Sequence, residues 1–207
     1  MKKAPPFSFS LFTLILERGR QASKRILAGS ISHQFSASQH LPAHIIQAEK
    51  CGYEINILER VYKPQDVRKM KRVHRARYST TSGNSSASES ASSLPYITKE
   101  QAVDEILHLK MCQSMLDQIS RNEMPTTMVI ASGDSAPAEF SDGFFRNVER
   151  ALRSGWNVEV VAWTDGLGRD YRAKHFMQKW AGKFMIIELD EFAEDLLASY
   201  ALRYVDT

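Results

Sequence analysis

Short apolar runs alternate with amphipathic helical patterns along most of this chain. Residues 127–131 and 158–163 are apolar runs of strand length, and residues 143–153 between them carry apolar side chains at helical spacing. Strands of this kind, separated by helices, predict a parallel sheet that is covered on both faces. The chain is therefore expected to adopt an α/β fold with three layers, α/β/α, around a mostly parallel central sheet.

The remaining segments continue this alternation. Further strands are predicted over residues 22–28, 53–61 and 184–189, and further helices over residues 10–18, 42–50, 97–119, 171–180 and 191–204. Thr98 and Gln101 have the spacing of a capping box, so Thr98 is the predicted cap of the longest helix. Gly19, Gly52 and Gly155 each follow a predicted helix and are expected to end it.

Residues 63–95 interrupt the alternation. Basic side chains dominate residues 63–77, and residues 79–93 consist mostly of Ser, Thr, Gly and Asn. A segment without core-forming residues, flanked on both sides by α/β patterns, predicts a flexible insertion within one domain. The domain would then be built from residues 1–62 and 96–207.

The basic run in the insertion is a candidate contact for phosphate groups. Asp66 is its only acid, and Lys69 and Arg72 are the candidates among its cationic side chains for contact with substrate. Attraction of such side chains to nucleic acid needs no defined fold, and the formal net charge of +3 is compatible with RNA as a partner. A solvated or targeting segment is the alternative interpretation.

Cysteine content and the first residues bear on the compartment. The only cysteines, Cys51 and Cys112, form neither a disulfide framework nor a zinc-binding spacing, which favours a reducing compartment, cytoplasmic or nuclear. The apolar run of residues 7–16 follows two lysines and imitates a signal peptide, but charged residues follow it directly. A buried helix is the favoured interpretation, a mitochondrial presequence is the alternative, and the run is too short to span a membrane.

The candidate chemistry centres on Asp134. It follows Ser132 and Gly133 at the end of a predicted strand, where parallel sheets bind their ligands. A carboxylate at this position binds Mg²⁺ or Mn²⁺, holds a ligand hydroxyl, or caps the next helix. The hydroxyl of Ser132 stands beside it as a candidate substrate contact.

Two further acids are candidates for the same site. Asp104 lies near the start of the long predicted helix, where acids also occur simply because they complement the helix dipole. Glu139 follows Asp134 by a few residues and either folds back to the same site or is a solvated loop charge. The six histidines have no metal-binding spacing, and the chain has neither a phosphate-binding P-loop nor a dinucleotide fingerprint.

Several of these motifs together resemble the NYN domain, which has the PIN-like fold of metal-dependent ribonucleases. The resemblance is carried by Gln-Ala-Val-Asp at residues 101–104, by Ser-Gly-Asp at residues 132–134, and by the helix and strand over residues 143–161. It extends from about residue 9 to residue 197, apart from the insertion, and is closest to fungal members of the family.

The resemblance implies a site of acids at the carboxyl ends of the central strands. There, one or two Mg²⁺ or Mn²⁺ ions activate water for attack on an RNA phosphodiester. Asp104 and Asp134 match family acids and are the expected catalytic residues and metal ligands, with Glu139 as a further ligand. Ser132 matches the small hydroxyl residue of the turn and is expected to contact substrate, as are Lys69 and Arg72.

The chain departs from the family pattern at two positions. Family members begin with a strand that ends in Asp-x-x-Asn and supplies the first acid, whereas this chain passes from its first residues straight into a helix. Ala136 also stands where many PIN-like sites have another acid. The expected function is therefore a divalent-metal-dependent ribonuclease whose activity is weak or lost. The alternative is a non-catalytic RNA- or protein-binding module on the same fold.

Overall fold

A computed structural model describes residues 7–32, 41–64 and 96–196, although the side chains of residues 63–64 and 96–97 are not part of that description. The helices are α1 Phe9–Glu17, α2 Ala43–Lys50, α3 Val103–Ser120, α4 Gly143–Arg153 and α5 Lys174–Lys179. The strands are β1 Ile26–Ile31, β2 Glu54–Glu59, β3 Val61–Pro64, β4 Tyr96–Lys99, β5 Thr127–Ile130, β6 Asn157–Ala162 and β7 Phe184–Glu188. Two 3₁₀ turns, Thr164–Gly166 and Leu189–Phe192, follow β6 and β7.

The sheets are mostly parallel, which confirms the predicted α/β class. Strands β5, β6 and β7 form a parallel sheet in that order, with Ile130 opposite Val160 and Val160 opposite Ile186. Strands β1 and β2 form a second parallel pair, and β3 and β4 an antiparallel pair. Within the described residues no hydrogen bonds join β1 to β5. Helix α3 instead approaches β1 and also packs into the core above β5 and β6.

Strand β6 is the centre of the main core, because both of its faces are covered. Val158 and Val160 are fully buried and pack with apolar side chains of α3 and α4. Val161 points to the opposite face, where it packs with Phe12 and Leu16 of α1. This two-sided burial explains why the strand is an almost continuous apolar run in the sequence.

The one acid in β6 is neutralised by the residues that end α1. Glu159 is only 8% exposed and lies on the same face of the sheet as Val161. Arg20 donates to both of its carboxylate oxygens, at 2.8 and 2.6 Å, and Arg18 lies 2.5 Å from one of them. A buried carboxylate is tolerated when its charge and lone pairs are compensated in this way. The same contacts hold the end of α1 against the sheet.

The predicted start of the longest helix was wrong. Thr98, the predicted cap, lies in β4, which pairs with β3 on the other side of the insertion. The helix begins only at Val103, after Ala102 in a left-handed conformation (φ 62°), and no side chain caps it. Strand pairing between segments far apart in sequence therefore overrides the local capping pattern.

Other boundaries shift by a few residues. The strand predicted at 22–28 is Ile26–Ile31, and the helix predicted at 171–180 is limited to Lys174–Lys179. The helix predicted at 191–204 begins as a 3₁₀ turn followed by one helical turn, and its remainder lies outside the described residues, as does nearly all of the insertion. The described helices include none with the length and hydropathy needed to cross a bilayer.

We expect Arg20→Ala to lower the free energy of unfolding by about 1–2 kcal/mol, because it removes two charge-assisted hydrogen bonds to a buried carboxylate. Chemical denaturation measures this change. Lys24→Ala is the control, since Lys24 and Asp117 form a pair that is half-exposed on both sides, and its loss is expected to cost clearly less than the loss of Arg20. Equal effects of the two variants would contradict a structural role for the contacts between Arg20 and Glu159.

Candidate functional site

The loop after β5 and the first turns of α3 meet at the same end of the domain. Helix α3 leads into β5 through a short connection, so its first turn lies near the carboxyl end of that strand. The amide of Phe140 in the loop donates to Glu105 at 2.8 Å, and Ser141 is hydrogen-bonded to His108 at 2.6 Å. These contacts bring the loop that carries Asp134 against the helix turn that carries Asp104.

Asp134 shapes its own turn and does not cap the next helix. One of its carboxylate oxygens accepts a hydrogen bond from the amide of Ala136 at 2.8 Å, and its own amide donates to Ser132 at 3.4 Å. The hydroxyl of the buried Tyr171 donates to its carbonyl oxygen at 3.1 Å. Helix α4 begins after Asp142 without a side-chain cap. Of the three roles considered for Asp134, helix capping is therefore excluded, while the side chain remains exposed to solvent.

Close packing with the loop after β6 fixes the backbone around Asp134. The amide of Gly168 donates to the carbonyl of Gly133 at 2.7 Å. A Cβ atom at Gly133 would overlap the carbonyl oxygen of Gly166 and lie 2.9 Å from the Cβ of Ala162. A Cβ atom at Gly168 would overlap Ser135. The glycine before Asp134 is therefore required for close approach of two loops, in addition to any freedom that it gives the turn.

The carboxyl group of Asp104 is half-buried and lies within reach of the charge of Asp134. Burial raises the pKa of Asp104, the neighbouring His108 opposes that rise, and the charge of Asp134 adds to it. Like charges held near each other at a half-buried position favour a bound proton or a bound cation. The arrangement is therefore one that a divalent ion would stabilise.

His108 packs beside Asp104 in this region. The sequence pattern did not identify it, because the six histidines have no metal-binding spacing. It is 4% exposed, and its ring packs edge-on against Phe144 with centroids 4.3 Å apart. Burial lowers the pKa of His108, opposed by the nearby charge of Asp104. Its Nδ1 is bonded to Ser141, and its buried Nε2 has no partner within the described residues. The feature of the sequence that could have identified His108 is its position one helical turn after Asp104, on the same face of the helix.

Glu139, the third predicted metal ligand, forms no metal-binding group with Asp104 and Asp134 in the described residues. Glu139 lies 3.5 Å from Lys99 of β4. Lys69 and Arg72 lie outside the described residues. Across residues 7–32, 41–64 and 96–196, no three or more His, Cys, Asp or Glu side chains converge as a metal-binding group. The candidate ligands that remain are the carboxylates of Asp104 and Asp134 and the hydroxyl of Ser132.

Comparison with known proteins assigns no family to this arrangement. The chain matches no protein-family model, and no curated protein or solved structure matches it significantly. The chemistry of the site therefore has to be argued from its donor set. Two carboxylates and a hydroxyl are oxygen ligands of the kind that Mg²⁺ and Mn²⁺ prefer, with water completing the coordination.

We expect Gly133→Ala to lower the free energy of unfolding by about 1–3 kcal/mol, because the added methyl group would force the two loops apart. Gly166→Ala is the matched control, since a Cβ atom there meets nothing within 4 Å and its backbone angle is ordinary. Urea denaturation of both variants measures the difference. Similar stabilities would show that the loops do not pack as closely as described.

We expect Asp104→Asn to gain stability relative to the unmodified protein as pH rises from about 3 to 7. The pKa of Asp104 is raised in the folded state, so the folded protein binds this proton more tightly than the unfolded chain, and ionisation destabilises it. Asp117→Asn should show the opposite trend. Its partner Lys24 lowers the pKa of Asp117, so the charged form stabilises the fold and that stability is lost as pH falls. Unfolding free energies measured against pH test both signs, and a parallel profile for the two variants would contradict the coupling at Asp104.

Proposed function

We propose that this chain is a NYN/PIN-like protein that binds RNA and holds one Mg²⁺ or Mn²⁺ ion between Asp104 and Asp134. Its central sheet would be the middle layer of an α/β/α arrangement. Its ribonuclease activity would be weak or lost, because the acidic site is smaller than that of the family it resembles.

The arrangement of elements supports this proposal. Five strands lie in parallel sheets, with α3 and α4 packed against one side of β6 and α1 against the other. The β1–β2 pair is not hydrogen-bonded to the β5–β6–β7 sheet within the described residues. Fold alone does not determine activity, so the site has to carry the functional argument.

The juxtaposition of Asp104 with Asp134 is the observation that carries the proposal. The two acids belong to different elements, yet direct contacts of Glu105 and His108 with the loop bring their segments together. Asp134 lies at the carboxyl end of a parallel strand, which is where such sheets bind their ligands.

Each residue of the site has a part in this interpretation. A bound ion would polarise the phosphodiester and lower the pKa of a bound water. Asp104 and Asp134 would hold the ion, and Ser132 would donate a hydrogen bond to a phosphate oxygen or a water. Tyr171 and Gly168 would hold the backbone of the Asp134 turn in place through the hydrogen bonds described above.

The number of carboxylates limits what the site can do. Affinity for a hard divalent ion depends strongly on how many charged ligands converge, and no third His, Cys, Asp or Glu joins Asp104 and Asp134 among the described residues, while Glu139 lies near Lys99. Loose ion binding favours weak catalysis. It also favours the second candidate, a non-catalytic RNA-binding module in which the basic run with Lys69 and Arg72 provides most of the affinity.

We expect Mg²⁺ or Mn²⁺ to raise the melting temperature of the unmodified protein, and Asp104→Asn and Asp134→Asn to abolish most of that rise. An ion at about ten times its dissociation constant stabilises the folded state by roughly 1.4 kcal/mol. Differential scanning fluorimetry with increasing ion concentration measures the shift. Asp117→Asn, at the opposite end of α3, should keep the full response, and an equal response in all three variants would refute the assigned site.

Binding and cleavage of a labelled single-stranded RNA separate the two candidate functions. Cleavage that requires Mn²⁺ and is lost in Asp104→Asn and Asp134→Asn would establish the enzyme. Salt-sensitive binding without cleavage, unchanged by these substitutions but weakened by neutralising Lys69 and Arg72, would establish the binding module. Absence of both binding and cleavage would overturn the proposal that RNA is the ligand.

A further inference from the structure

The outer edge of β7 carries main-chain groups that the described residues leave unpaired. The amide of Val158 in β6 donates to the carbonyl of Lys183 at 2.8 Å, and Val158 lies opposite Phe184 in the parallel register. Main-chain groups alternate in direction along a strand, so those of Phe184, Ile186 and Glu188 point away from β6. The β7 edge, defined as residues 184–188, therefore presents a row of donors and acceptors.

Among these groups, only the amide of Phe184 has a hydrogen-bond partner in the described residues. The amide of Phe184 donates to the carbonyl of Trp180 at 2.9 Å. For the carbonyl of Phe184, both groups of Ile186 and the amide of Glu188, no hydrogen-bond partner is found in the part of the chain that the structure describes. An edge with these groups exposed is able to pair with another strand.

A cleft with both apolar and charged side chains runs along the same edge. It has a volume of about 500 Å³ and is lined by the consecutive strand residues 185–188 together with Arg18, Arg172 and Glu191. Successive side chains point to opposite faces of a sheet, so a cleft that includes all of them has to follow the edge itself. Met185, 52% exposed, and Met177 of α5, 37% exposed, provide apolar surface on its walls. Exposed apolar surface beside an open edge is typical of an interaction site.

The charges along the edge change sign from one end to the other. The exposed Lys179 and Lys183 precede β7, and the exposed Asp190 and Glu191 follow it. Glu188, at the end of the strand, is already paired with Arg172 at 2.8 Å. An antiparallel second copy of the strand would place each basic end beside the acidic end of the partner. A parallel copy would place like charges together. The complementarity of these remaining charges, Lys179 and Lys183 with Asp190 and Glu191, favours a second copy of the chain as the occupant.

We propose that two copies of this chain associate through antiparallel pairing of their β7 edges, centred on Ile186. The amide and carbonyl of Ile186 would exchange hydrogen bonds with those of the partner subunit's Ile186. The amide of Glu188 would donate to the carbonyl of the partner subunit's Phe184, and the reverse pair follows from the two-fold symmetry. The two β5–β6–β7 sheets become one continuous sheet, and Met185 of each copy is covered.

The proposed interface is small, so the dimer is reversible. Strand β7 has 5 residues, and a single strand pair with its flanking side chains buries less surface than a permanent interface does. A dissociation constant on the order of micromolar is expected for association of this size. The chain would therefore be a monomer when dilute and a dimer when concentrated.

Sedimentation velocity over a range of concentrations of the complete chain tests the proposal. The mass is expected to rise from 23.5 kDa towards twice that value as concentration increases. Hydrogen exchange at the amides of Ile186 and Glu188 should slow over the same range, because only the dimer occupies them. A chain that stays monomeric throughout would overturn the proposal.

Substitutions on the edge assign the interface. Ile186→Pro removes an amide that points away from β6, which an edge strand tolerates, and should weaken the dimer by about tenfold or more. Lys183→Glu and Glu191→Lys should each weaken it by placing like charges together, whereas an equimolar mixture of the two variants should dimerise again. The mixture keeps the test valid if Ile186→Pro fails to fold.

Arg121→Glu is the matched control, because it makes the same change of charge at the exposed end of α3. It should leave the dissociation constant unchanged. If the dimer persists in Ile186→Pro and in both charge-reversal variants, it uses another surface. If the charge-reversal variants lose the dimer and their mixture does not restore it, the two ends do not pair electrostatically. Either result would overturn the assignment to the β7 edge.

Discussion

The covering of β6 on both faces is the constraint on which the rest of this structure depends. Val158 and Val160 face the core formed with α3 and α4, and Val161 faces α1. Glu159 would be costly on that second face without a partner. The guanidinium groups of Arg18 and Arg20 supply the compensation, so the charge that interrupts the strand also holds the end of α1 against the sheet.

The candidate site follows from the same packing. With β6 fixed, its following loop approaches Gly133 so closely that no side chain fits there, and the Asp134 turn is held at the end of β5. Helix α3 then brings Asp104 to the same end. The cost is a half-buried carboxylate at Asp104, to which the neighbouring charge of Asp134 adds. Such an electrostatic penalty is typical of sites where binding is favoured over stability.

The open edge of β7 bears on association with another chain and not on the candidate site. Parallel strands need neighbours on both sides to satisfy their main chain, and β7 has a described neighbour on one side only. Its short length limits this exposure, and the opposite charges at its two ends favour one orientation of a second strand. Association through this edge and ligand binding at the Asp134 end of β5 would use different parts of the molecule.

The sequence by itself determined the elements that local pattern controls. Helix α4 begins and ends where its spacing and Gly155 predict, and β6 is recognisable because a doubly buried strand needs a continuous apolar run. It also placed Asp134 at a strand end. Only the tertiary structure decided what depends on contacts between distant segments. Pairing of β3 with β4 moved the start of α3 away from Thr98, and Glu139 lies near Lys99. Local periodicity carries no record of such pairings, because they depend on which backbone and side-chain partners the folded chain brings into reach.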